Sequence, residues 1–213
     1  MKCRRLFSAL FLLAGICLTA RSGYLHAKAE LAGILISRAW DESVQSGGFH
    51  RPWPWADTHP VARLQIPRLG YDEIVLEGAS ARTLAFGPAR LLSASRPGEH
   101  GNLVLAGHRT SWFWPLQGVS RGDKIIIEWF DSRGGLRTRT YTADAIQVLD
   151  PEDGTFLAPT SEDALTLITC YPFGRGPTSP QRYVVRAWPL QPGDVVQPSS
   201  PRITQSRMSD ATR

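Results

Sequence analysis

The sequence predicts an all-β domain, a barrel or a sandwich, behind a helical N-terminal segment. Short β-like runs recur through the middle of the chain, and turn signals separate them. The 213 residues include 16 prolines and 19 glycines, which suits short strands joined by turns better than a helical bundle. The apolar share of 42% and the charged share of 20% are ordinary for a globular protein, so one domain with terminal extensions is expected.

The N-terminus resembles a membrane-targeting segment. Lys2, Arg4 and Arg5 precede an uncharged apolar run from Leu6 to Ala20. Basic residues before such a run place the N-terminus on the cytoplasmic side, so the rest of the chain is expected outside the cytoplasm. The run is shorter than the roughly 20 residues of a full span and has the length of a signal-peptide core. We predict an uncleaved single-pass anchor in the cell membrane over residues 1–25, with cleavage as the open alternative.

A helical stalk and a linker are predicted over residues 26–60. Apolar residues recur at helical spacing around Leu31 and Leu35, and Gly47 and Gly48 are expected to end the helix. The helix could stand as a stalk or pack on the domain. The stretch Arg51–Asp57 contains two prolines and two tryptophans. Proline excludes it from a central strand, so we expect an extended segment whose tryptophans pack on the domain.

The domain itself is predicted over residues 61–190, with brief helical turns at 83–86 and Val119. Seven strands are expected: Val61–Ile66, Glu73–Leu76, Asn102–Ala106, Lys124–Trp129, Thr138–Val148, Ala164–Thr169 and Arg182–Trp188. Residues 191–213 are rich in Pro, Ser and Gln and are predicted to form a disordered tail.

Composition and spacing exclude several functions. The net charge of +5 is scattered, without a dense basic stripe, so no nucleic-acid partner is expected. Zinc-ligand spacing, phosphate loops and dinucleotide glycine patterns are missing from the sequence, so neither a metal nor a cofactor is expected.

Cys170 is the one cysteine in the predicted exported domain, since Cys3 and Cys17 belong to the targeting segment. A lone cysteine in an oxidising compartment has no partner for an internal disulfide. It is therefore either a small buried hydrophobe or a reactive thiol. Cys170 ends an apolar strand and opens onto a loop rich in Pro and Gly, a junction where a side chain is both fixed and accessible.

Two further polar residues lie at strand ends. His108 follows the strand Asn102–Ala106, and Arg182 opens the strand after the cysteine loop. Taken singly, the first could be a structural histidine and the second a surface cation. Together, a thiol, an imidazole that moves a proton and a guanidinium that stabilises an oxyanion meet the needs of acyl transfer. If the strands are neighbours, Cys170 and Arg182 face each other across one loop.

These segments resemble those of sortases. Thr166-Leu167-Ile168-Thr169-Cys170 is similar to the Thr-Leu-x-Thr-Cys signature, LAGHR to the histidine segment and QRYVVRA to the arginine strand, in the same order and at similar spacing. The stretches Arg51–Thr58 and Leu84–Pro88 resemble the marine proteobacterial type. The similarity covers roughly residues 25–190.

The resemblance implies an eight-stranded sortase β-barrel and a cysteine transpeptidase. The substrate would be an exported protein with an LPxTG-like C-terminal sorting motif, cleaved through a thioacyl intermediate on Cys170 and passed to an acceptor amine. His108 would protonate the leaving amine and activate the incoming one, and Arg182 would hold the substrate and the oxyanion. The predicted substrate contacts, which flank these residues in sequence, are Thr169, Arg109, Trp112 and Tyr171.

One segment departs from the pattern. Where the group has His-Arg-Asp-Thr-His-Phe, this chain has His108-Arg109-Thr110-Ser111-Trp112-Phe113. Trp112 and Trp114 either line an apolar wall of the substrate groove or simply pack. Two other functions also stay open: a cysteine peptidase that hydrolyses the same motif, and a non-catalytic anchored barrel that binds a partner.

Overall fold

The computed structural model describes residues 2–174, 176 and 180–190, and in this part of the chain a long helix precedes a β-barrel. The helices are α1 (Lys2–Ser46) and α2 (Ala81–Leu84), and short 3₁₀ turns cover Pro67–Leu69, Trp114–Gly118 and Gly154–Leu157. The strands are β1 (Pro60–Ile66), β2 (Tyr71–Glu77), β3 (Ala89–Arg90), β4 (Asn102–Ala106), β5 (Lys124–Phe130), β6 (Leu136–Leu149), β7 (Ala164–Cys170) and β8 (Arg182–Pro189).

The eight strands close into one barrel in the order β1-β2-β3-β4-β7-β8-β6-β5. The pairs β2–β3 and β4–β7 are parallel, and the other pairs are antiparallel. The all-β prediction and the eight-stranded barrel are therefore confirmed, and the sandwich is ruled out. Closure leaves no unpaired edge strand, which is the usual reason for a barrel of short strands.

Each of the seven predicted strands is present, with ends within two residues of the expected ones. The sequence did not indicate β3, because two residues are too few for a period-2 pattern to be visible. Helix α2 begins two residues before the predicted helical turn, where the Ser80 side chain caps it by accepting a hydrogen bond from the Thr83 backbone N–H at 3.1 Å.

The barrel has an inner core and an outer apolar layer. Leu105, Leu167 and Val185 belong to the inner core and are fully buried. Their sequence neighbours Val104, Ile168 and Val184 form the outer layer with Phe156 of the 3₁₀ turn Gly154–Leu157. Side chains alternate across a strand, so β4, β7 and β8 are apolar on both faces because both faces are covered.

The C-terminal part of α1 packs on the barrel. Ala39 and Trp40 are buried, and the Trp40 ring meets Phe130 edge to face with 5.7 Å between centroids. The helix ends as predicted at Ser46-Gly47. Gly47 has a φ of 72°, and a Cβ there would come within 2.6 Å of the Gly134 backbone nitrogen, so glycine is required for this close approach. The sequence left open whether this helix stands as a stalk or packs on the domain, and its C-terminal part packs on the domain.

The Pro/Trp segment is irregular, and its two tryptophans differ. Trp53 packs on Phe86 with 5.3 Å between ring centroids, as predicted. Trp55 is 82% exposed, so the prediction that it packs on the domain is wrong. The Ala56 N–H donates to the Trp53 carbonyl at 2.9 Å. This turn directs Trp53 and Ala56 toward the barrel and leaves Trp55 in solvent.

Within the described part of the chain, no helix combines the length and the apolar character that crossing a membrane requires. The anchor over residues 1–25 stays a prediction. The predicted disordered tail, residues 191–213, lies outside the described residues.

Candidate active site

Three strand ends meet beside Cys170. Strand β4 runs parallel to β7 with Ala106 level with Ile168, and the Gly107 N–H extends this ladder by donating to the Ile168 carbonyl at 3.2 Å. The ladder ends there, and His108 follows Ala106 by two residues, as Cys170 follows Ile168. On the other side of β7, Cys170 pairs directly with Arg182 of β8. Neighbouring strands are about 4.8 Å apart, so the backbones of Cys170 and Arg182 lie at roughly that spacing.

Cys170 and Arg182 share one face of the barrel wall. Ala106, Ile168 and Val184 all contribute to the outer apolar layer. Because residues two apart along a strand point the same way, Cys170 and Arg182 belong to that outer face. Cys170 is a free, partly exposed thiol, and His108 is exposed. Partial exposure favours a reactive thiol over a buried small hydrophobe.

Thr169 fastens the two strand ends on the inner side of the wall. Its side chain is buried, and its hydroxyl donates to the Gly107 carbonyl at 2.7 Å. This bond ties the residue before Cys170 to the residue before His108. The substrate contact predicted for Thr169 stays a prediction, while the structure gives its hydroxyl a bond within the barrel wall.

A buried polar network joins β4, β7 and the 3₁₀ turn after β6. The Thr166 hydroxyl donates to Asn102 Oδ1 at 2.7 Å, and Asn102 Nδ2 donates to the carbonyls of Phe156 at 2.9 Å and Ala158 at 3.2 Å. The network therefore holds the 3₁₀ turn Gly154–Leu157 over the outer layer. The sequence reasoning missed it. The available signal was a pair of polar residues inside otherwise apolar strands.

Arg182 binds the backbone of its own loop. Its Nη1 donates to the Pro180 carbonyl at 2.6 Å and to the Gln181 carbonyl at 3.2 Å. A guanidinium has five N–H donors in a fork, and both of these bonds use the same nitrogen. The side chain is partly exposed, so a bound carbonyl oxygen can reach it.

An aromatic cluster continues from Cys170 along the chain. Tyr171 stacks on Tyr183 with 6.4 Å between ring centroids, Phe173 meets Tyr183 edge to face at 4.9 Å, and Trp114 meets Phe173 at 6.3 Å. Burial raises the pKa of the Tyr183 phenol, and the neighbouring Tyr171 adds to this. The ring of Tyr171, a predicted substrate contact, is partly exposed in this cluster. Trp114 packs here and keeps 45% of its surface exposed.

The remaining two predicted contacts lie in different places. Arg109 is 7% exposed, and its guanidinium donates to the carbonyls of Pro172 and Gly176 in the segment after Cys170. Trp112 is half-buried in a cleft of about 260 Å³ between α1 and β2, which Trp40 and Phe86 also line. Trp112 thus lies in the cleft beside helix α1.

The adjacent strand ends carry the groups that acyl transfer requires: a thiol at the end of β7, an imidazole two residues after β4 and a guanidinium at the start of β8. Among the described residues, no group of three or more His, Cys, Asp or Glu side chains is placed to hold a metal ion. The chemistry that these residues can support is nucleophilic attack by sulfur with proton transfer through His108.

Comparisons with known proteins find similarity over the barrel. A family model described as a sortase domain matches residues 64–190. Sortase D of Bacillus subtilis (strain 168) is 29% identical over 123 residues, covering 57% of this chain and 60% of that protein, so the chain spans less than two thirds of this relative's length. The structure of sortase A from Corynebacterium diphtheriae matches with a TM-score of 0.55 and 31% identity over 66% of each chain. Sortase C-1 from Actinomyces oris matches with a TM-score of 0.54 and 29% identity over 62% of this chain and 73% of that one.

Proposed function

This chain belongs to the sortase family, and on that premise we propose that it is a membrane-anchored cysteine transpeptidase. Its substrate is an exported protein with an LPxTG-like C-terminal sorting motif, and its second substrate is an amine. The observation that carries the proposal is the pairing of Cys170 with Arg182 across β7 and β8, with His108 two residues beyond the end of the neighbouring strand β4. Within the family, the similarity of two stretches, Arg51–Thr58 and Leu84–Pro88, supports the marine proteobacterial type.

The first half-reaction breaks the peptide bond. The thiol proton of Cys170 passes to His108, and the sulfur attacks the carbonyl carbon of the scissile bond. A C–S bond forms while the carbonyl oxygen takes up negative charge, which Arg182 stabilises. The C–N bond then breaks, and His108 returns the proton to the leaving nitrogen. A thioester on Cys170 and a free amine result.

The second half-reaction forms the new bond. The incoming amine gives a proton to His108 as its nitrogen attacks the thioester carbon; the C–S bond then breaks as the new amide forms, and the proton passes from His108 to the leaving sulfur, which restores the thiol. Because His108 is exposed, the acceptor can approach it from solvent. Water can approach by the same route, so a peptidase that hydrolyses the motif is the second candidate.

The bonds that Arg182 makes to its own loop suggest how it engages substrate. Charged-group hydrogen bonds to an oxyanion are shorter and stronger than those to a neutral carbonyl. Donors now directed at the Pro180 and Gln181 carbonyls would therefore turn toward the developing oxyanion over Cys170. Of the predicted substrate contacts, Tyr171 directly follows Cys170 in the chain and is partly exposed, and it is the one that we propose touches the peptide.

The cellular setting is part of the proposal. Lys2, Arg4 and Arg5 before the apolar run favour a cytoplasmic N-terminus and an extracytoplasmic barrel. A single-pass anchor would hold the enzyme where its exported substrate emerges.

The test uses the full-length chain in detergent and a fluorogenic peptide with the LPxTG motif. Wild type is expected to cleave the peptide, and mass spectrometry is expected to find an acyl adduct on Cys170. Cys170→Ala is expected to lose cleavage, whereas Cys17→Ala, which removes another free thiol, serves as the matched control and is expected to retain it.

Added amine separates the two candidate activities. Incorporation of a glycine-based amine into the product supports the transpeptidase, whereas water as the only acceptor supports the peptidase. Cleavage by Cys170→Ala at the wild-type rate would remove Cys170 from the mechanism and with it the proposal.

A further inference from the structure

We propose that Arg109 is a positioning residue that clamps the segment after Cys170 onto the strand end that carries His108. This inference rests on the proposed function, because it concerns the geometry of the same site. It gives Arg109 a role different from the substrate contact that its sequence position suggested.

The clamp consists of two bonds from one side chain. Nη1 of Arg109 donates to the Pro172 carbonyl, and Nη2 donates to the Gly176 carbonyl at 2.7 Å. One guanidinium therefore spans two backbone positions four residues apart. With 7% of its surface exposed, Arg109 has little area to offer a bound peptide.

The position of Arg109 in the chain makes these bonds relevant to catalysis. It directly follows His108, and Pro172 comes two residues after Cys170. On the inner side of the wall the Thr169 hydroxyl already joins the same two strand ends through the Gly107 carbonyl. Arg109 continues this linkage past the ends of the strands, where the β4–β7 ladder no longer fixes the spacing.

The base of the clamp is itself fixed. The N–H groups of Ser111 and Phe113 donate to the His108 carbonyl at 3.3 and 3.0 Å, so residues 108–113 form a tight turn. Phe113 is fully buried in the inner core and anchors the turn. Arg109 thus extends from a rigid support and restrains the segment that it binds.

The charge of Arg109 is compensated by carbonyl groups. In the described residues, no carboxylate lies within salt-bridge distance of it. A buried cation is costly unless its donors are satisfied, and two charge-assisted bonds to carbonyls meet part of that cost. Lysine could not replace it fully, since an ammonium is a single point of attachment and lacks the planar fork.

Arg109→Met and Arg109→Lys test the clamp in the full-length protein. Arg139→Met is the matched control, because Arg139 is also a partly buried arginine, and its partner Asp163 precedes β7 at the end opposite Cys170. The first readout is limited trypsin digestion, followed by mass spectrometry of the Arg175–Gly176 bond. The second readout is kcat and KM with the sorting-motif peptide, expressed per folded molecule.

For Arg109→Met we expect cleavage after Arg175 to accelerate at least fivefold and kcat to fall by about 10- to 100-fold with little change in KM, since a misplacement near 1 Å costs rates of this order. Arg109→Lys is expected to lie between Met and wild type on both readouts. Arg139→Met is expected to lower Tm and to leave both readouts within about twofold of wild type.

The outcomes discriminate clearly. A raised KM with unchanged kcat and unchanged digestion would make Arg109 a substrate contact and overturn the clamp. Wild-type digestion and kinetics in both Arg109 variants would also overturn it. If Arg109→Met fails to fold, Arg109→Lys decides on the same readouts. If wild type itself does not process the peptide, the proposed function fails, while digestion at Arg175–Gly176 still judges the clamp.

Discussion

Cys170 and Arg182 pair directly across β7 and β8, the last residue of one strand facing the first residue of the other. The pairing follows from the antiparallel register, which also aligns Ile168 with Val184 in the outer apolar layer. A change of one residue in this register would move Arg182 to the opposite face of the wall. The packing of the outer layer therefore fixes the position of the guanidinium relative to the thiol.

Arg182→Ala is expected to lower kcat/KM for the sorting-motif peptide by about 100- to 1,000-fold, the usual effect of removing an oxyanion donor. Arg182→Lys is expected to recover part of the loss, because it keeps the charge without the fork. Steady-state kinetics per folded molecule provide the measurement. Arg186→Gln is the control, since Arg186 lies four residues further along β8 on the same face and donates to the Phe156 carbonyl. Equal losses in both variants would show that the effect is one of general stability.

Gly107→Ala is expected to disturb the turn that carries His108. A Cβ at residue 107 would come within 2.7 Å of the Phe113 ring, which is fully buried. Overpacking of this kind costs about 1–3 kcal/mol, and the strain falls next to His108, so both the free energy of unfolding and kcat should decrease. The double variant Gly107→Ala/Phe113→Leu is expected to recover part of both.

The control for that pair is Gly154→Ala, because no heavy atom lies within 4 Å of a Cβ at residue 154. Urea unfolding and peptide kinetics measure the two effects. A Gly107→Ala protein with wild-type stability and rate would mean that the Phe113 contact does not constrain the turn.

Asn102→Ala is expected to lower the free energy of unfolding by about 1–3 kcal/mol, because it removes the partner of the buried Thr166 hydroxyl and of the Ala158 carbonyl, while the Phe156 carbonyl keeps its bond from Arg186. Thr166→Val should cost less, and the double variant less than the sum. A coupling energy of about 0.5 kcal/mol or more from the double-mutant cycle would identify the two residues as one network. Strict additivity would contradict the 2.7 Å hydrogen bond between them.

Glu77→Gln is expected to destabilise the barrel in a pH-dependent way. Burial alone would raise the pKa of Glu77, but the hydrogen bonds and charge of Arg90 outweigh it and hold that pKa below its ordinary value of 4.5. The ionised Glu77 thus contributes stability that is present above pH 4.5 and is lost as the pH falls through the lowered pKa.

The side chains of Arg90 and Glu77 are 4% and 15% exposed, so breaking the pair should cost about 2–4 kcal/mol at pH 7 and less near pH 3. Urea unfolding of wild type and Glu77→Gln at both values measures the difference. Asp144→Asn removes the exposed pair with Arg121 and is expected to change stability by less than about 1 kcal/mol. A cost for Glu77→Gln that does not shrink at low pH would contradict the assignment.

Much of the fold was predictable from local sequence. The strand Asn102–Ala106 is predicted to the residue, because an apolar run bounded by turn residues is a local signal. The positions of His108, Cys170 and Arg182 at strand ends follow from the same signal. Local sequence did not distinguish a barrel from a sandwich, since strand pairing joins residues far apart in the chain.

The contacts that individual side chains make were harder to predict from the sequence. Thr169 and Arg109 stand next to the proposed catalytic residues in sequence, and that adjacency suggested substrate contacts. In the folded protein the Thr169 hydroxyl bonds to Gly107 and the Arg109 guanidinium bonds to the segment after Cys170. Adjacent residues of a strand point to opposite faces. A residue that neighbours Cys170 in sequence therefore need not lie on the same face as the thiol.

The amino-acid sequence alone determined which residues end strands and which of them can act as nucleophile, proton carrier and cation, because periodicity and side-chain chemistry are local properties. The tertiary structure decided which strand ends are neighbours, which face each side chain takes and which carbonyl groups each buried donor reaches. Those features depend on pairing between distant segments, where the register of β7 sets Cys170 opposite Arg182 of β8 and aligns Ile168 with Ala106 of β4, two residues before His108.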